Sequence, residues 1–376
     1  ERCGGCQLQH LSYEAQLEMK KEQVINLFQR KAHFDNSKIN DTVGMTDPWR
    51  YRNKSQIPVG KNEQNEVIMG FYRQRSHDII DMESCLIQDS QHQEVMNEVK
   101  SILKDLNVSI YQEQLKKGLM RHLVVRTGYH TDEMMIIFVT NGKKWPQKNA
   151  VVEKILDAFP NVTSIKQNIN DSHSNVIMGR QSITLYGKDT IIDQLTDSTF
   201  KISDQSFYQI NSEQTEKLYN KAIEYAQLTG NEVVLDTYCG IGTIGLYMAP
   251  HAKHVYGVEV VPSSIEDAQQ NATINQCNNT TFVCGKAEEV ILQWKAQGIK
   301  PDVVMVDPPR KGCDETFIQT LLTLEPKRIV YISCNPATQQ RDALLLAEKY
   351  QLEEVTPVDM FPQTTHVETV ALFNLK

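Results

Sequence analysis

The residues best suited to chemistry sit in Tyr331-Ile332-Ser333-Cys334-Asn335-Pro336. A β-rich run, Arg328 to Ile332, leads into a cysteine, and Asn-Pro then breaks the strand ahead of a helical stretch. A thiol at the C-terminal end of a strand in an α/β sheet lies on the edge where such folds bind ligands. A helix N-terminus beside it would favour the thiolate, which is the nucleophilic form. A lone cysteine is more often a buried structural one. The rest of the chain argues for chemistry.

Three further strand ends carry polar groups of the right kind. Asp236-Thr237-Tyr238-Cys239-Gly240-Ile241-Gly242-Thr243 reads as strand, glycine turn and helix start, and the next strand ends in Glu259. A glycine turn with an acid at the following strand end fits a nucleoside cofactor. The turn departs from GxGxxG, and Asp236 ahead of it suits a cationic ligand, which favours S-adenosylmethionine over NAD. Asp307-Pro308-Pro309-Arg310 ends another strand and presents a rigid loop suited to gripping a flat ring.

Cys3-Gly4-Gly5-Cys6 and Cys85 are candidate metal ligands. Three thiolates fall one short of a closed zinc site or an iron–sulfur cluster, so a fourth is expected upstream. From Arg50 to Arg75 six basic residues (Arg50, Arg52, Lys54, Lys61, Arg73, Arg75) face two acids, with Tyr51, Phe71 and Tyr72 among them. Arg121 and Arg126 belong to a second basic group with Lys116 and Lys117. Aromatics among cations suit unpaired bases and their phosphates. The overall balance, 39 basic against 47 acidic residues, argues weakly against nucleic acid, although local charge matters more.

These residues need two kinds of scaffold. A helix is expected over 11–33, strands over 51–60 and 67–73, a helix over 91–106, strands over 121–126 and 134–140, and a helix over 146–159. Short strands follow to Ile202, which makes a small α+β domain of antiparallel strands. From about Ser203, helix and strand alternate as parallel β-α-β units through to Leu375. No apolar run approaches membrane-spanning length, and eight cysteines without a signal peptide imply a reducing, cytoplasmic setting. The chain starts at Glu1, so it is expected to be part of something longer.

Together, Asp236 to Thr243, Asp307-Pro308-Pro309-Arg310-Lys311-Gly312, Ser333-Cys334-Asn335-Pro336 and His366-Val367-Glu368 resemble the RNA (uracil-5-)-methyltransferase family. Cys3, Cys6 and Cys85 resemble its iron–sulfur branch, which modifies 23S ribosomal RNA. The resemblance implies a Rossmann-like class I methyltransferase domain at 203–376 and a smaller α+β central domain with an antiparallel sheet at 48–202. Residues 1–14 would start the cluster-binding part, and 15–47 would be a helix packed on the methyltransferase domain. The resemblance implies that this chain lacks the N-terminal TRAM domain of full-length members.

The resemblance makes Cys334 the nucleophile that attacks uracil C6 and Glu368 the base that removes the C5 proton. It puts S-adenosylmethionine against Gln209, Tyr238, Thr243, Glu259, Glu288 and Asp307, and a [4Fe-4S] cluster on Cys3, Cys6 and Cys85. It implies a monomer acting on a flipped uridine, with Arg50, Arg52, Lys54, Arg73, Arg75, Arg121 and Arg126 on the RNA. A transfer-RNA uracil-5-methyltransferase is the alternative within the class. Amino-group methylation and a non-catalytic RNA-binding or redox-sensing module are the others.

Overall fold

The structure, a computed structural model, describes residues 3–31 and 34–376. Residue contacts divide the chain into two units. One comprises Glu1–Gln7, Trp49–Gln194 and Lys201–Gln205, and the other Leu8–Pro48, Leu195–Phe200 and Ser206–Lys376.

The chain enters the second unit with α1 (Tyr13–Ile25), capped by the Ser12 side chain, and continues as a π-helical turn over Asn26–Lys31. His33, the expected end of this helix, lies outside the described residues. In the first unit, β1 (Lys54–Lys61), β2 (Val67–Tyr72) and β3 (Ile79–Asp81) precede α2 (Ser90–Asp105). Next come β4 (Met120–Thr127), β5 (Met134–Thr140), α3 (Lys148–Ala158), β6 (Ser164–Ile169) and β7 (Gln181–Gly187). Their sheet runs β3-β2-β1-β4-β5-β6-β7. All its pairings are antiparallel except β5 with β6, which α3 joins by a crossover. Val95, Val99, Ile102 and Leu103 of α2 close its core over Ile57, Leu123 and Phe138. A separate ribbon pairs β8 (Thr190–Leu195) with β9 (Ser198–Ser203); β8 went unread in the sequence.

The second unit continues with α4 (Ser212–Ala226), β10 (Val233–Thr237), α5 (Thr243–Met248), β11 (His254–Glu259), α6 (Pro262–Ile274) and β12 (Thr280–Cys284). Then follow α7 (Ala287–Ala296), β13 (Val303–Val306), α8 (Glu315–Leu324), β14 (Arg328–Ser333), α9 (Pro336–Leu346), β15 (Tyr350–Val358) and β16 (Glu368–Leu375). The sheet order is β12-β11-β10-β13-β14-β16-β15. The inner strands are near-continuous apolar runs (Val303 to Val306, Ile329 to Ile332) because helices cover both faces. The order reverses beside β10, so the C-terminal ends of β10, β11, β13 and β14 open on one switch point.

One expectation is corrected here. The last two strands do not extend the parallel series: β16 runs antiparallel between β14 and β15. No helix separates β15 from β16, and a loop of this length cannot make the crossover that parallel pairing requires.

Gly257 on β11 pairs with Phe282 on β12, and a Cβ there would stand 2.3 Å from the Phe282 ring. Gly257→Ala is therefore expected to cost about 1–3 kcal/mol in denaturant unfolding. Adding Phe282→Ala should make the double variant less destabilised than the two single losses added together.

Candidate active site

The turn after β10 is shaped by left-handed backbone. Tyr238, Gly240 and Gly242 have φ of 63°, 55° and 81°, and Gly242 caps α5. At Gly240 nothing lies within 4 Å of where a Cβ would stand, so the backbone there is open to a ligand. Asp236 lies buried beneath the turn, and its Oδ2 accepts the Gly245 N–H at 2.8 Å. A Cβ on Gly245 would sit 2.7 Å from that oxygen, which is why a glycine follows. Asp236 Oδ1 is buried and has no partner. Burial, with Asp307 and Glu259 adding repulsion against the Gly245 bond, pushes Asp236 up to about 8.

Glu259, at the end of β11, accepts from the amides of Gly240 (3.3 Å), Val260 (2.7 Å) and Val261 (3.0 Å). Thr243 Oγ1 lies 3.1 Å from the Tyr219 hydroxyl of α4. The Tyr238 ring packs edge-on against Phe317 of α8 at 5.4 Å. Glu288 sits in the first turn of α7, and Gln209 is buried just before α4. An orphaned buried carboxylate oxygen beside an open glycine backbone fits a ligand carrying a cationic group and a ribose.

The second cluster belongs to β13, β14 and β16. The antiparallel register ends with Ser333 opposite Thr369, and Cys334 and Glu368 follow next on the two sides, close enough for the carboxyl to act on the thiol. Asn335 caps α9 by accepting the Ala337 N–H, while its Nδ2 donates to the Arg310 carbonyl at 3.1 Å. This bond ties the Cys334 turn to the Asp307-Pro308-Pro309-Arg310 loop. The loop's far end is locked to α9: Asp342 Oδ2 accepts from Cys313 N (2.9 Å) and the Tyr331 hydroxyl (2.7 Å), and Arg341 spans Asp342 and the Cys313 carbonyl. Gly312, at φ 79°, is needed because a side chain would strike Arg341 and Asp342. Sequence reading missed Asp342, although a carboxylate on the inward face of α9 beside Ala343 and Leu346 was a visible signal.

Glu368 is 4 % exposed. Burial first, then Asp307, raises it to about 8 against the pull of Arg310. Asp307 is raised by burial to about 7. The Cys334 thiol, half-buried, is also pushed up: burial leads, Glu368 and Asp307 add to it, and Arg310 opposes. The expectation that the start of α9 favours the thiolate is thus outweighed by burial and two carboxyls. His366 Nδ1 lies 3.1 Å from Arg310 Nη2, and burial and Arg310 lower its pKa, so it accepts this bond as a neutral ring.

A family described as tRNA (Uracil-5-)-methyltransferase matches residues 12–376. The chain belongs to the RNA uracil-5-methyltransferase family. It is 99% identical over all 376 residues to a Staphylococcus aureus (strain MRSA252) protein named an uncharacterized RNA methyltransferase, covering 83% of that protein. It is 49% identical, again over its whole length, to one of the same description from Halalkalibacterium halodurans, covering 82% of it. Among solved structures, a Pyrococcus abyssi tRNA (uracil-54, C5)-methyltransferase in complex with S-adenosyl-L-homocysteine matches with a TM-score of 0.82. The two are 30% identical, and the match covers 99% of this chain and 86% of that one. This uracil-5-methyltransferase is therefore an S-adenosylmethionine-dependent enzyme acting on RNA. Among the described residues no helix is long and apolar enough to cross a membrane.

The first unit of the methyltransferase bears less on chemistry than its sequence suggests. Cys3 bridges to Arg73, and the Cys85 carbonyl accepts from Arg50 at 2.7 Å. Among the described residues no three His, Cys, Asp or Glu side chains are placed to hold a metal ion. No step below runs through a cluster. The seven basic candidates also separate. Arg121 is buried and gives Nη1 to the carbonyls of Asn170 and Ser172 at 2.7 Å, and Arg126 is buried too. Lys54 is pushed down to about 7 by burial, then by Arg126 and Arg52, whose Nε is itself buried without a partner. Arg50, Arg73 and Arg75 are exposed, and Tyr72 stacks on His77 beside the last two.

The raised carboxyls give a signed pH dependence. A folded-state pKa above the unfolded value lends stability at low pH that is lost as pH rises through the folded value. For Glu368 that window runs from about 4.5 to about 8. Glu368→Gln should therefore unfold at higher urea than the parent at pH 8.5, by up to a few kcal/mol, and the gap should close by pH 5. A gap independent of pH would contradict the buried, raised carboxyl.

Proposed function

We propose that this enzyme methylates C5 of uridine in 23S ribosomal RNA, with Cys334 as nucleophile and Glu368 as base. The observation that supports the roles is the nearness of the two groups where β14 ends and β16 begins: the Glu368 carboxyl, itself raised, pushes the Cys334 thiol up. Ribosomal RNA is favoured by the resemblance of Cys3, Cys6 and Cys85 to the branch that modifies it. A transfer-RNA substrate is favoured by the likeness to the Pyrococcus abyssi tRNA (uracil-54, C5)-methyltransferase.

Asp236, Glu259 and Asp307 would hold S-adenosylmethionine with Gln209, Tyr238, Thr243 and Glu288. When bound it supplies an electrophilic methyl carbon. Uracil C5 is too weak a nucleophile to take it unaided. Cys334 Sγ, as the thiolate, bonds to C6, and the displaced electron pair makes C5 an enolate carbon that forms the new C–C bond as the methyl's bond to the sulfonium breaks and its electron pair stays on that sulfur as a neutral thioether. Glu368 then takes the C5 proton, the electrons re-form the C5–C6 double bond, and the C–S bond breaks to return the thiolate. A carboxyl near 8 is well placed to accept and release that proton around neutral pH. Arg73 and Arg75, exposed beside Tyr72, are the cations best placed to meet phosphates.

The test is RNA carrying 5-fluorouridine plus S-adenosylmethionine. Fluorine cannot leave as a cation, so the enzyme should remain covalently bound on a denaturing gel, and Cys334→Ala should abolish the band. Running 23S and transfer RNA side by side assigns the substrate. No band with either would sink the uracil-C5 mechanism. Arg73→Ala and Arg75→Ala should each reduce the salt slope of RNA binding by about 0.7, the single-strand value per phosphate.

A further inference from the structure

The inner face of α1 is polar where a packed helix is usually apolar: Gln16, Lys20 and Val24 are its buried residues. Lys20 and Asp359 form an ion pair with no exposed side-chain surface on either partner. Lys20 Nζ also donates to the Phe361 carbonyl at 3.2 Å, and the Tyr13 hydroxyl donates to Asp359 Oδ2 at 2.9 Å. Gln16 Nε2 donates to Gln363 Oε1 at 2.9 Å, and the Gln363 amide donates back to Gln16 Oε1 at 3.0 Å. From the N-cap and first turn of α4, Asn211 Nδ2 donates to the Met360 carbonyl (3.1 Å) and Gln214 Nε2 to that of Asp359 (3.0 Å).

All these bonds converge on one segment, 359–363, in the loop that leads from β15 into Glu368. A buried ion pair adds little net stability over an apolar pair, so its worth lies in fixing one arrangement. That arrangement needs fixing: Gln363 is held at φ 70°, which a non-glycine residue adopts at a cost. Beyond it, the His366 amide donates to Thr364 Oγ1 at 3.2 Å, and the ring meets Arg310. The loop is thus defined from the α1 face through to Glu368.

We propose that Tyr13, Gln16 and Lys20 are positioning residues for proton removal: α1 holds segment 359–363 in the shape that presents Glu368 to the adduct on Cys334. The proposal rests on Glu368 as the base. It predicts a step-specific defect. With Glu368 displaced, Cys334 still adds and the methyl still transfers, but the methylated adduct cannot resolve.

The experiment uses unmodified 23S and transfer RNA transcripts, S-adenosylmethionine with a labelled methyl group, and a denaturing gel that follows formation and decay of the covalent complex. Glu368→Gln is the reference. The paired variant Lys20→Met/Asp359→Asn removes both buried charges together, and Tyr13→Phe removes one hydroxyl, which also accepts the Met45 N–H at 2.9 Å. The expected result is a lasting labelled adduct in Glu368→Gln. Adduct decay should slow about 10-fold or more in the paired variant and about 3-fold in Tyr13→Phe, with formation within 2-fold of the parent. Parent-like decay in Tyr13→Phe and the paired variant, with a lasting adduct in Glu368→Gln, overturns this proposal alone. Formation and decay slowed equally also overturn it, since that is what a loosened fold would give. No adduct in Glu368→Gln removes the base assignment, and this proposal with it.

Discussion

The site depends on one antiparallel strand inserted into an otherwise parallel sheet. Parallel strands bring their C-terminal ends to a common edge, which is how Asp236, Glu259, Asp307 and Cys334 come to share one side. A strand entering from that edge brings its N-terminal end there instead. β16 does so between β14 and β15, and its first residue is Glu368. A seventh parallel strand would have left that carboxyl at the opposite end of the sheet. Register does the rest: a slip of one residue would turn Glu368 onto the other face of the strand.

Burying acids at this edge has a thermodynamic cost that the rest of the unit must cover. Asp236, Asp307 and Glu368 are all raised to between about 7 and 8, and burial is the leading cause for each. At neutral pH the folded protein is less stable than it would be with amides at these positions. Beneath the site lies a continuous apolar core, with Leu235, Val304, Val306, Phe317, Ile329 and Tyr331 fully or nearly fully buried. Rigidity around the acids comes from bonds of high sequence separation. Asp342 fixes the Asp-Pro-Pro loop to α9, and Asn335 fixes the Arg310 carbonyl to the Cys334 turn.

What could be read from the sequence follows the range of the physics. The glycine turn after Asp236, the Asp-Pro-Pro loop and the Cys-Asn-Pro strand end are each imposed by a few neighbouring residues. Positive φ, fixed proline φ and a capping side chain leave local marks. The alternation that signals the Rossmann-like sheet is equally local, so fold class was legible. The direction of β16 was not, because an apolar run reads the same either way and only the missing crossover helix betrays it. The polar face of α1 was hidden because the partners of Gln16 and Lys20 lie more than 330 residues further along the chain. Counting charges over Arg50 to Arg75 could not show that Lys54 and the Arg52 Nε are withdrawn from solvent. Nor can the Cys3-Gly4-Gly5-Cys6 spacing say whether a third thiol completes a ligand group.

The electrostatics also bear on the order of events at Cys334 and Glu368. The carboxylate raises the thiol, and by reciprocity a thiolate raises the carboxyl, so the edge resists holding both charges at once. Arg310 favours either anion and can offset only part of that repulsion. Under the proposed roles, a sulfur bonded to C6 carries no charge, and one source of repulsion on Glu368 disappears when the adduct forms. The carboxyl then ionises more readily at the stage where a base is required. Under those roles, a nucleophile and a base this close oppose carrying charge at the same time. The covalent step releases the second group to do its work.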